Sequence, residues 1–581
     1  MDKKSIVAIL DEMGTLLELQ GANPFKSRAF HNASRALEGV TDDLAALVAS
    51  GEIREVSGIG ESIAKIVADL VTKGKSKEYD DLKKAFPAGV LEMLRIPGLG
   101  PKKVKVLFEK KKIASLEALE SAAKQNRLAE IPGFGEKTEQ NILKGIAALR
   151  VRTEKHLFPN AFQPANEILL HLKKQKGVIR AEIAGSLRRK KEVIGDIDIL
   201  VSAKDTHRAA LMDAFVSHPE VQSVVGKGET KSSVVLKAGI NCDLRIVDDA
   251  EFPFALNYFT GSKEHNIEMR SRAKAYGWSL NEYGFSEIGA EEKRGKAKKI
   301  VKCRDEADIY KALDLAYIEP ELRENLGEIE AAAANTLPHL VEEKDLRGTF
   351  HCHTTYSDGV NTLEQMARAA QALGWEYLGI GDHSKVAAYA GGLSEEKVYA
   401  QFKEIDELNT RFKNFRILKG TECDILPNGD LDWPDSMLAK FEYVVASVHS
   451  SFKNDEKEMT KRIIKALKNK YVTMLGHPTG RILLSRDGYP VNMVEVINCA
   501  SDYGKVIEIN AHPMRLDLDW RLVKYAKEKG VLIAINPDAH NLDGLNDTFY
   551  GVGIARKGWL EKNDVLNARP LKGVLEFFHI S

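Results

Sequence analysis

The stretch GSLRRKKEVIGDIDILV, Gly185 to Val201, joins the end of one apolar run to the start of another through a basic segment. On a strand, residues i and i+2 share a face, so Asp196 and Asp198 point together while Ile197 and Ile199 enter the core. Two carboxylates converging in this way are costly without a cation. A third acid, Asp243 in INCDLRIVD, lies on a later β-like run able to pair alongside. Three carboxylates can hold two Mg or Mn ions a few Å apart, one activating an attacking hydroxyl and one clamping a leaving group. From about Gly177 the chain reads as short strands and turns, which fits a mixed sheet carrying these acids.

At 581 residues the chain exceeds what one core can bury and must divide into several domains. It is 44% apolar and 29% charged, the composition of an ordinary globular protein. No apolar run reaches the ~18 to 20 residues of a membrane span. The opening MDKKSIVAILDEMG places Asp11 and Glu12 where a signal peptide would stay apolar. No membrane partner and a cytoplasmic location are therefore expected. Five cysteines without a C-x-x-C pair argue against a disulfide framework and a cysteine-rich zinc finger. Lysine plus arginine balance aspartate plus glutamate at 84 each, so any nucleic-acid site must show itself locally.

Local signals begin at the N-terminus, where one motif occurs three times: VSGIGESIAKIV from Val56, IPGLGPKKVKVL from Ile96 and IPGFGEKTEQNI from Ile131. Each places Gly-x-Gly between two amphipathic helical patterns, so that backbone N–H groups at the start of the second helix can face a phosphate. A packing turn between helices would look similar in one copy, but repetition favours the anion-binding reading. The motif resembles the helix-hairpin-helix. That resemblance implies sequence-independent binding of a DNA backbone through Gly58, Gly60, Gly98, Gly100, Gly133 and Gly135, assisted by a bound monovalent cation. Lys102, Lys103 and Lys105, with Lys110 to Lys112, suit phosphate contact.

NYFTGSKEHNIEMRSRAKAYGWSLNEYG, Asn257 to Gly284, taken with GSLRR, GDIDI and CDLR, resembles the family X DNA polymerases, the class that includes DNA polymerase beta. The resemblance runs from Met1 to about Glu319 and implies a nucleotidyltransferase palm acting on gapped or primer-template DNA and deoxynucleoside triphosphates. It implies that Asp196 and Asp198 bridge two metal ions and that Asp243 binds the ion near the primer 3′-hydroxyl, oriented by Arg245. Gly185, Ser186, Arg189 and Gly195 would hold the triphosphate, Tyr258, Phe259 and Gly261 the sugar, and Asn266 and Arg270 the nascent base pair. Lys26, in NPFKSRAF, matches the family's 5′-phosphate pocket. The position of the family's lyase lysine is filled by Ile66, and Lys65 lies about 100° around the helix, so 5′-deoxyribose phosphate lyase activity is not expected.

After Glu319, PELRENLGEIEAAAANTLPHLVEEKD reads as a linker helix closed by Pro338, and beyond it strands alternate with amphipathic helices as in a β/α barrel. His351 and His353, His383, Glu422, His449, His477, and Asp538 with His540 each end a predicted strand, the rim where such barrels assemble active sites. With Asp358 this makes nine imidazole or carboxylate groups. The arrangement resembles the polymerase and histidinol phosphatase (PHP) domain, which implies up to three Zn, Mn or Fe ions and phosphoester hydrolysis. Cys352, between two such histidines, should face away from them. His512 is set aside as a supporting residue.

The expected organisation is a helical DNA-binding domain over residues 1–85 and a helix-hairpin-helix subdomain over 86–150. A palm over 151–250 and a nucleotide-selecting subdomain over 251–319 follow, then a linker over 320–345 and the PHP domain over 346–581. The whole resembles bacterial family X DNA polymerase: a monomer at the nucleoid that fills short gaps in repair, with a 3′-5′ exonuclease and an AP-endonuclease or 3′-phosphoesterase in the barrel. Rival readings are a phosphoesterase that uses an inactive palm to bind DNA, and a non-enzymatic scaffold for damaged DNA. Intact carboxylates at Asp196, Asp198 and Asp243 oppose both.

Overall fold

A computed structural model describes the chain except residues 1–2, 39–43, 57, 95, 97–98, 129–130, 132, 154, 289–300 and 581. It forms two compact units, Met1–Thr153 and Glu154–Ser581. Among the described residues no helix is long and apolar enough to cross a membrane.

The first unit is helical. Its glycine repeats fold alike: Ile59, Leu99 and Phe134 each donate a backbone hydrogen bond to the carbonyl three residues earlier, at 3.0 Å in every copy. Gly60 and Gly100 are the N-caps of helices Glu61–Lys73 and Pro101–Lys111, and Gly135 immediately precedes helix Glu136–Thr153. A Cβ at Gly60, Gly100 or Gly135 would meet only open space, so no packing contact demands glycine there. Gly58 and Gly133 adopt positive φ, where glycine turns without strain; Gly98 lies outside the described residues.

The second unit contains the palm sheet, built from β1 (Val178–Ile183), β2 (Asp196–Ala203), β3 (Val221–Lys227), β4 (Lys231–Leu236) and β5 (Asn241–Val247) in the order β1-β2-β5-β4-β3. Only the β2–β5 pair is parallel. Alternation works as the sequence requires: Ile197, Ile199, Val201, Leu244 and Ile246 are buried in one cluster beneath helix Phe158–Lys173. Helices Phe252–Thr260 and Lys263–Ala275 and the hairpin Trp278–Asn281 with Gly284–Glu287 follow.

Segment 320–345 departs from a linker helix. It forms a short turn at Pro320–Leu322 and one six-residue helix, Glu328–Ala333, and Arg323 and Glu328 are fully buried. Arg323 donates to Glu306 Oε1 at 2.6 Å, so ion pairing fixes this stretch, whose alanine- and glutamate-rich composition suggests a linker helix.

Beyond it come β6 (Gly348–Thr349), β7 (Tyr377–Gly379), β8 (Arg416–Leu418), β9 (Gly420–Asp424), β10 (Tyr443–Ser447), β11 (Met474–Leu475), β12 (Val506–Asn510) and β13 (Ile533–Asn536). All pair in parallel and in chain order, as a three-stranded and a five-stranded sheet. Parallel bridges join His383 to Glu422 and Cys352 to Ala539, the second linking the segments that leave the first and last strands. This is the strand order of a distorted β/α barrel, with every residue of β9, β10, β12 and β13 buried.

Candidate active sites

Two acidic centres form in the second unit. In the palm, the parallel register sets Asp196 opposite Asn241 and Asp198 opposite Asp243, bringing the three carboxylates to one end of the sheet. Burial first, then the charges of Asp196 and Asp243, push the Asp198 carboxyl up to about 6. A group that resists ionisation because like charges crowd it is one a divalent cation would relieve, and on that chemistry the three residues fit such ions. Lys231, reaching across from β4, supplies positive charge 2.7 Å from Asp243 Oδ2. Sequence reading passed over this lysine, which is half-exposed at a strand start.

Gly185 opens a single helical turn, Gly185–Arg188, at φ 65°, and a Cβ there would lie 2.7 Å from Asp198 Oδ2. Close approach to the carboxylate therefore requires glycine. Ser186 follows in the same turn, and Gly195 directly precedes β2. Arg189 Nε donates to Glu324 Oε1 at 3.1 Å, and its Nη1 donates to the carbonyl of Thr260, next to Gly261. The Arg245 guanidinium stacks 4.3 Å from the Phe259 ring centre, and Tyr258 meets Phe259 edge-on. Asn266 Nδ2 donates to the Tyr258 carbonyl at 2.7 Å, and Tyr258, Asn266 and Arg270 line one hollow. Of the expected nucleotide residues, Gly185 abuts Asp198, Arg189 reaches the segment before Gly261, and Arg245 packs on Phe259.

In the barrel the sequence-predicted groups converge at the strand ends. His353, Asp358, His383 and His540 can surround one point; His351, His353 and Asp538 a second; Glu422, His449 and His477 a third. At the first point the separations suit ligands of one shared ion, while His477 Nε2 lies at hydrogen-bond distance, 2.9 Å, from Glu422 Oε1. His353 Nδ1 and His383 Nε2 each lie 3.5 Å, and His540 Nε2 3.3 Å, from an Asp358 oxygen. Two ligands each about 2.1 Å from one tetrahedral ion stand roughly 3.4 Å apart. His351 Nε2 and His353 Nδ1 are buried without a hydrogen-bond partner, as atoms reserved for a metal would be. The residues fit a metal cluster.

Their charge state agrees. Burial opposes a charged imidazole at His351, yet Glu508, Glu422 and Asp538 raise it well above the ordinary histidine range. Burial would likewise raise Glu422, but His449, His351 and His383 hold it well below the usual carboxylate range.

Two participants escaped the sequence reading. Asp424 groups with His383 and His449, and its Oδ1 lies 2.6 Å from His449 Nδ1. It sits two residues beyond Glu422 on β9, and the i, i+2 rule applied to Glu422 would have found it. Glu508, inside the apolar run VIEIN, accepts from His351 Nδ1 at 2.8 Å. Behind them Asp382 accepts from Thr354 N at 2.8 Å, Thr354 Oγ1 at 2.6 Å and Gln401 Nε2 at 2.6 Å, which fixes the loop carrying His353 and Asp358. Cys352 packs with Met366, Leu378, Ile380 and Ala539 in an apolar cluster, away from the metal-type groups. His512 is absent from those groups; its backbone N–H donates to Asn510 Oδ1 at 3.1 Å.

In the first unit Ile66 belongs to the core at 3% exposure while Lys65 faces solvent, and Lys26 is exposed on helix Pro24–Glu38.

Comparisons with known proteins follow these divisions. Family models match a helix-hairpin-helix domain at residues 1–76, a SAM-like helix-hairpin-helix tandem at 90–148, the DNA polymerase beta palm at 162–236, the DNA polymerase beta thumb at 255–324 and the PHP domain at 349–512. Asp243, Arg245, Asp538 and His540 lie beyond the stretches that these family models match. The chain is 38% identical over 579 residues, 99% of each chain, to the DNA polymerase/3'-5' exonuclease PolX of Bacillus subtilis. It is also 33% identical over 201 residues to a probable phosphatase of Thermoanaerobacter sp., covering 33% of this chain and 77% of that one. A probable phosphatase of Caldanaerobacter subterraneus is 32% identical over 201 residues, 33% of this chain and 74% of that one. The chain belongs to the bacterial PolX family, the family X DNA polymerases that carry a polymerase-beta-like palm and thumb together with a C-terminal PHP domain.

Proposed function

We propose that the chain fills short gaps in DNA as a DNA-directed DNA polymerase and releases nucleotides from 3′ ends at its barrel. The observation that carries this is the presence of two separate acidic centres in one chain, the palm carboxylates and the barrel rim. In the palm, Asp196, Asp198 and Asp243 would together hold two Mg or Mn ions. Ser186 and Arg189 orient the triphosphate, while Tyr258 and Phe259 wall the sugar. Bound divalent ions supply charge neutralisation and a more acidic hydroxyl or water. The glycine turns of the first unit contact the DNA backbone and deliver no sequence preference.

In the barrel, His351, His353, Asp358, His383, Glu422, His449, His477, Asp538 and His540 would hold up to three Zn, Mn or Fe ions. Glu508 and Asp424 keep His351 and His449 oriented, so the remaining ring nitrogens face the cluster. The same site serves an AP-endonuclease or 3′-phosphoesterase reaction, because each breaks a phosphoester at a 3′ side. The protein works as a monomer at the nucleoid.

Primer extension and 3′ nucleotide release, assayed on one gapped substrate, test the assignment. Asp196→Ala should abolish extension and retain release; His353→Ala should do the reverse. Extension surviving Asp196→Ala would revive the reading in which the palm only binds DNA.

A further inference from the structure

The basic segment after Gly185 is gripped from outside the palm. Helix Thr548–Lys557 of the barrel domain buries the Lys557 side chain completely. Its Nζ donates to Glu324 Oε1 at 2.7 Å, to the Arg189 carbonyl at 3.0 Å and to the Glu321 carbonyl at 3.3 Å. Glu324, itself 9% exposed, also accepts from Arg189 Nε at 3.1 Å and lies 3.7 Å from Lys191 Nζ. The neighbouring palm residues are held by the same domain: Lys190 Nζ sits 3.9 Å from the Phe549 ring centre, and Trp520 Nε1 donates to Glu192 Oε2 at 3.0 Å.

We infer that Lys557, a residue of the metal-binding barrel, is a positioning residue of the polymerase, neutralising Glu324 so that the Arg189 guanidinium remains available to the incoming triphosphate. This rests on the assignment of Arg189 to the triphosphate. Arg189 spends Nε on Glu324 and Nη1 on the Thr260 carbonyl, leaving Nη2 and the second Nη1 hydrogen for phosphate. Burial alone would raise the Glu324 carboxyl, but Lys557 first, then Arg189 and Lys191, hold it below the usual carboxylate range, so it is an anion shared among three cations. Remove Lys557, the one fully buried cation on Glu324, and only the longer-range Lys191 remains beside Arg189 to balance that carboxylate, so more of its charge bears on Arg189 in a poorly solvated setting, where it competes with phosphate. The barrel's hold on the palm is then part of nucleotide binding, and not only a tether.

The test measures steady-state KM and kcat for deoxynucleotide incorporation on gapped DNA with the full chain. Arg189→Met should raise the nucleotide KM; if it does not, the triphosphate assignment fails and Lys557 is not at issue. Given that rise, Lys557→Met should raise KM about tenfold with kcat little changed, while 3′ nucleotide release by the barrel continues. The double variant Lys557→Met with Glu324→Gln removes both charges and should restore KM to within about threefold of wild type, a recovery that a purely structural lysine would not show. A wild-type KM in Lys557→Met, or a double variant no better than the single, overturns the inference. Should Lys557→Met fail to fold, the double variant decides alone, since it leaves no unpaired charge from this pair: a rise as large as that of Arg189→Met overturns the inference.

Discussion

His351 Nδ1 lies 2.8 Å from Glu508 Oε2, and neither side chain is exposed to solvent. The contact fixes the ring and directs Nε2 at Glu422 Oε1, 3.4 Å away, and Asp538 Oδ1, 3.6 Å away. A carboxylate behind a histidine in this manner sets its tautomer and strengthens it as a metal ligand.

Glu508→Gln preserves the side chain's size and removes its charge. It should lower metal affinity at the barrel by about 10- to 100-fold and slow 3′ nucleotide release, while extension by the palm continues. Chelator competition followed by elemental analysis measures the first effect; unchanged metal retention would remove Glu508 from the site.

Metal uptake should release protons. Burial opposes charge on His449 and His540, yet Glu422 and Asp424 beside the first, and Asp358 and Asp538 beside the second, push both up to about 9. Without metal these imidazoles hold protons at neutral pH, and their pairing favours the metal-free fold below the unfolded pKa of about 6.5 and fades as pH rises through about 9. A divalent ion must displace those protons, so its apparent affinity should climb from pH 6 toward pH 9. Titration calorimetry in two buffers of different ionisation enthalpy reports the protons released per ion; a value near zero at pH 7 would contradict this charge state.

What the sequence makes legible follows from the range of the interactions. Strand alternation in DIDILV and the Gly-x-Gly turns are local, so Asp196 with Asp198, and Gly60 with Gly100, could be read directly. The barrel rim is legible because each strand end carries its own ligand type. Glu508 is not: within VIEIN it looks like a misplaced acid in a core strand, and the histidine it serves lies 157 residues earlier. Lys557 likewise reads as the basic last residue of a helix, which favours the macrodipole anywhere, while its carboxylate partner is 233 residues away. The segment around Arg323 and Glu328 misled by composition, because alanines and glutamates suggest a linker helix unless the arginine that pairs with Glu306 is known.

The palm should be strained by its own acids when metal is absent. With a folded pKa of about 6 against an ordinary 3.8, Asp198 favours the folded state in its neutral form, so stability falls as pH rises between about 4 and 6. Asp198→Asn should therefore raise the melting temperature of the second unit at pH 7.5 in the presence of a chelator, by the equivalent of about 1–3 kcal/mol. The gain should vanish near pH 4, where the wild-type carboxyl is already neutral, and shrink when Mg is added, because the ion stabilises only the wild type. Equal melting temperatures at pH 7.5 with chelator would show that burial and the neighbouring Asp196 and Asp243 do not disfavour the Asp198 charge.

Cys352 and His353 are adjacent in sequence and opposite in role. The cysteine packs in the apolar cluster with Met366 and Leu378, whereas His353 Nδ1 lies 3.5 Å from Asp358 Oδ1 and His353 Nε2 lies 3.1 Å from Asp538 Oδ1. Cys352→Ser places a hydroxyl among apolar side chains and should cost about 1–3 kcal/mol of stability, with metal content and 3′ nucleotide release near wild type. His353→Ala opens two of the metal-type groups at once, since His353 belongs to both. It should lose metal and release activity together while the palm still extends primers. Elemental analysis of the two purified variants separates the roles, and metal loss in Cys352→Ser equal to that in His353→Ala would make the thiol a ligand and reverse the strand's assigned facing.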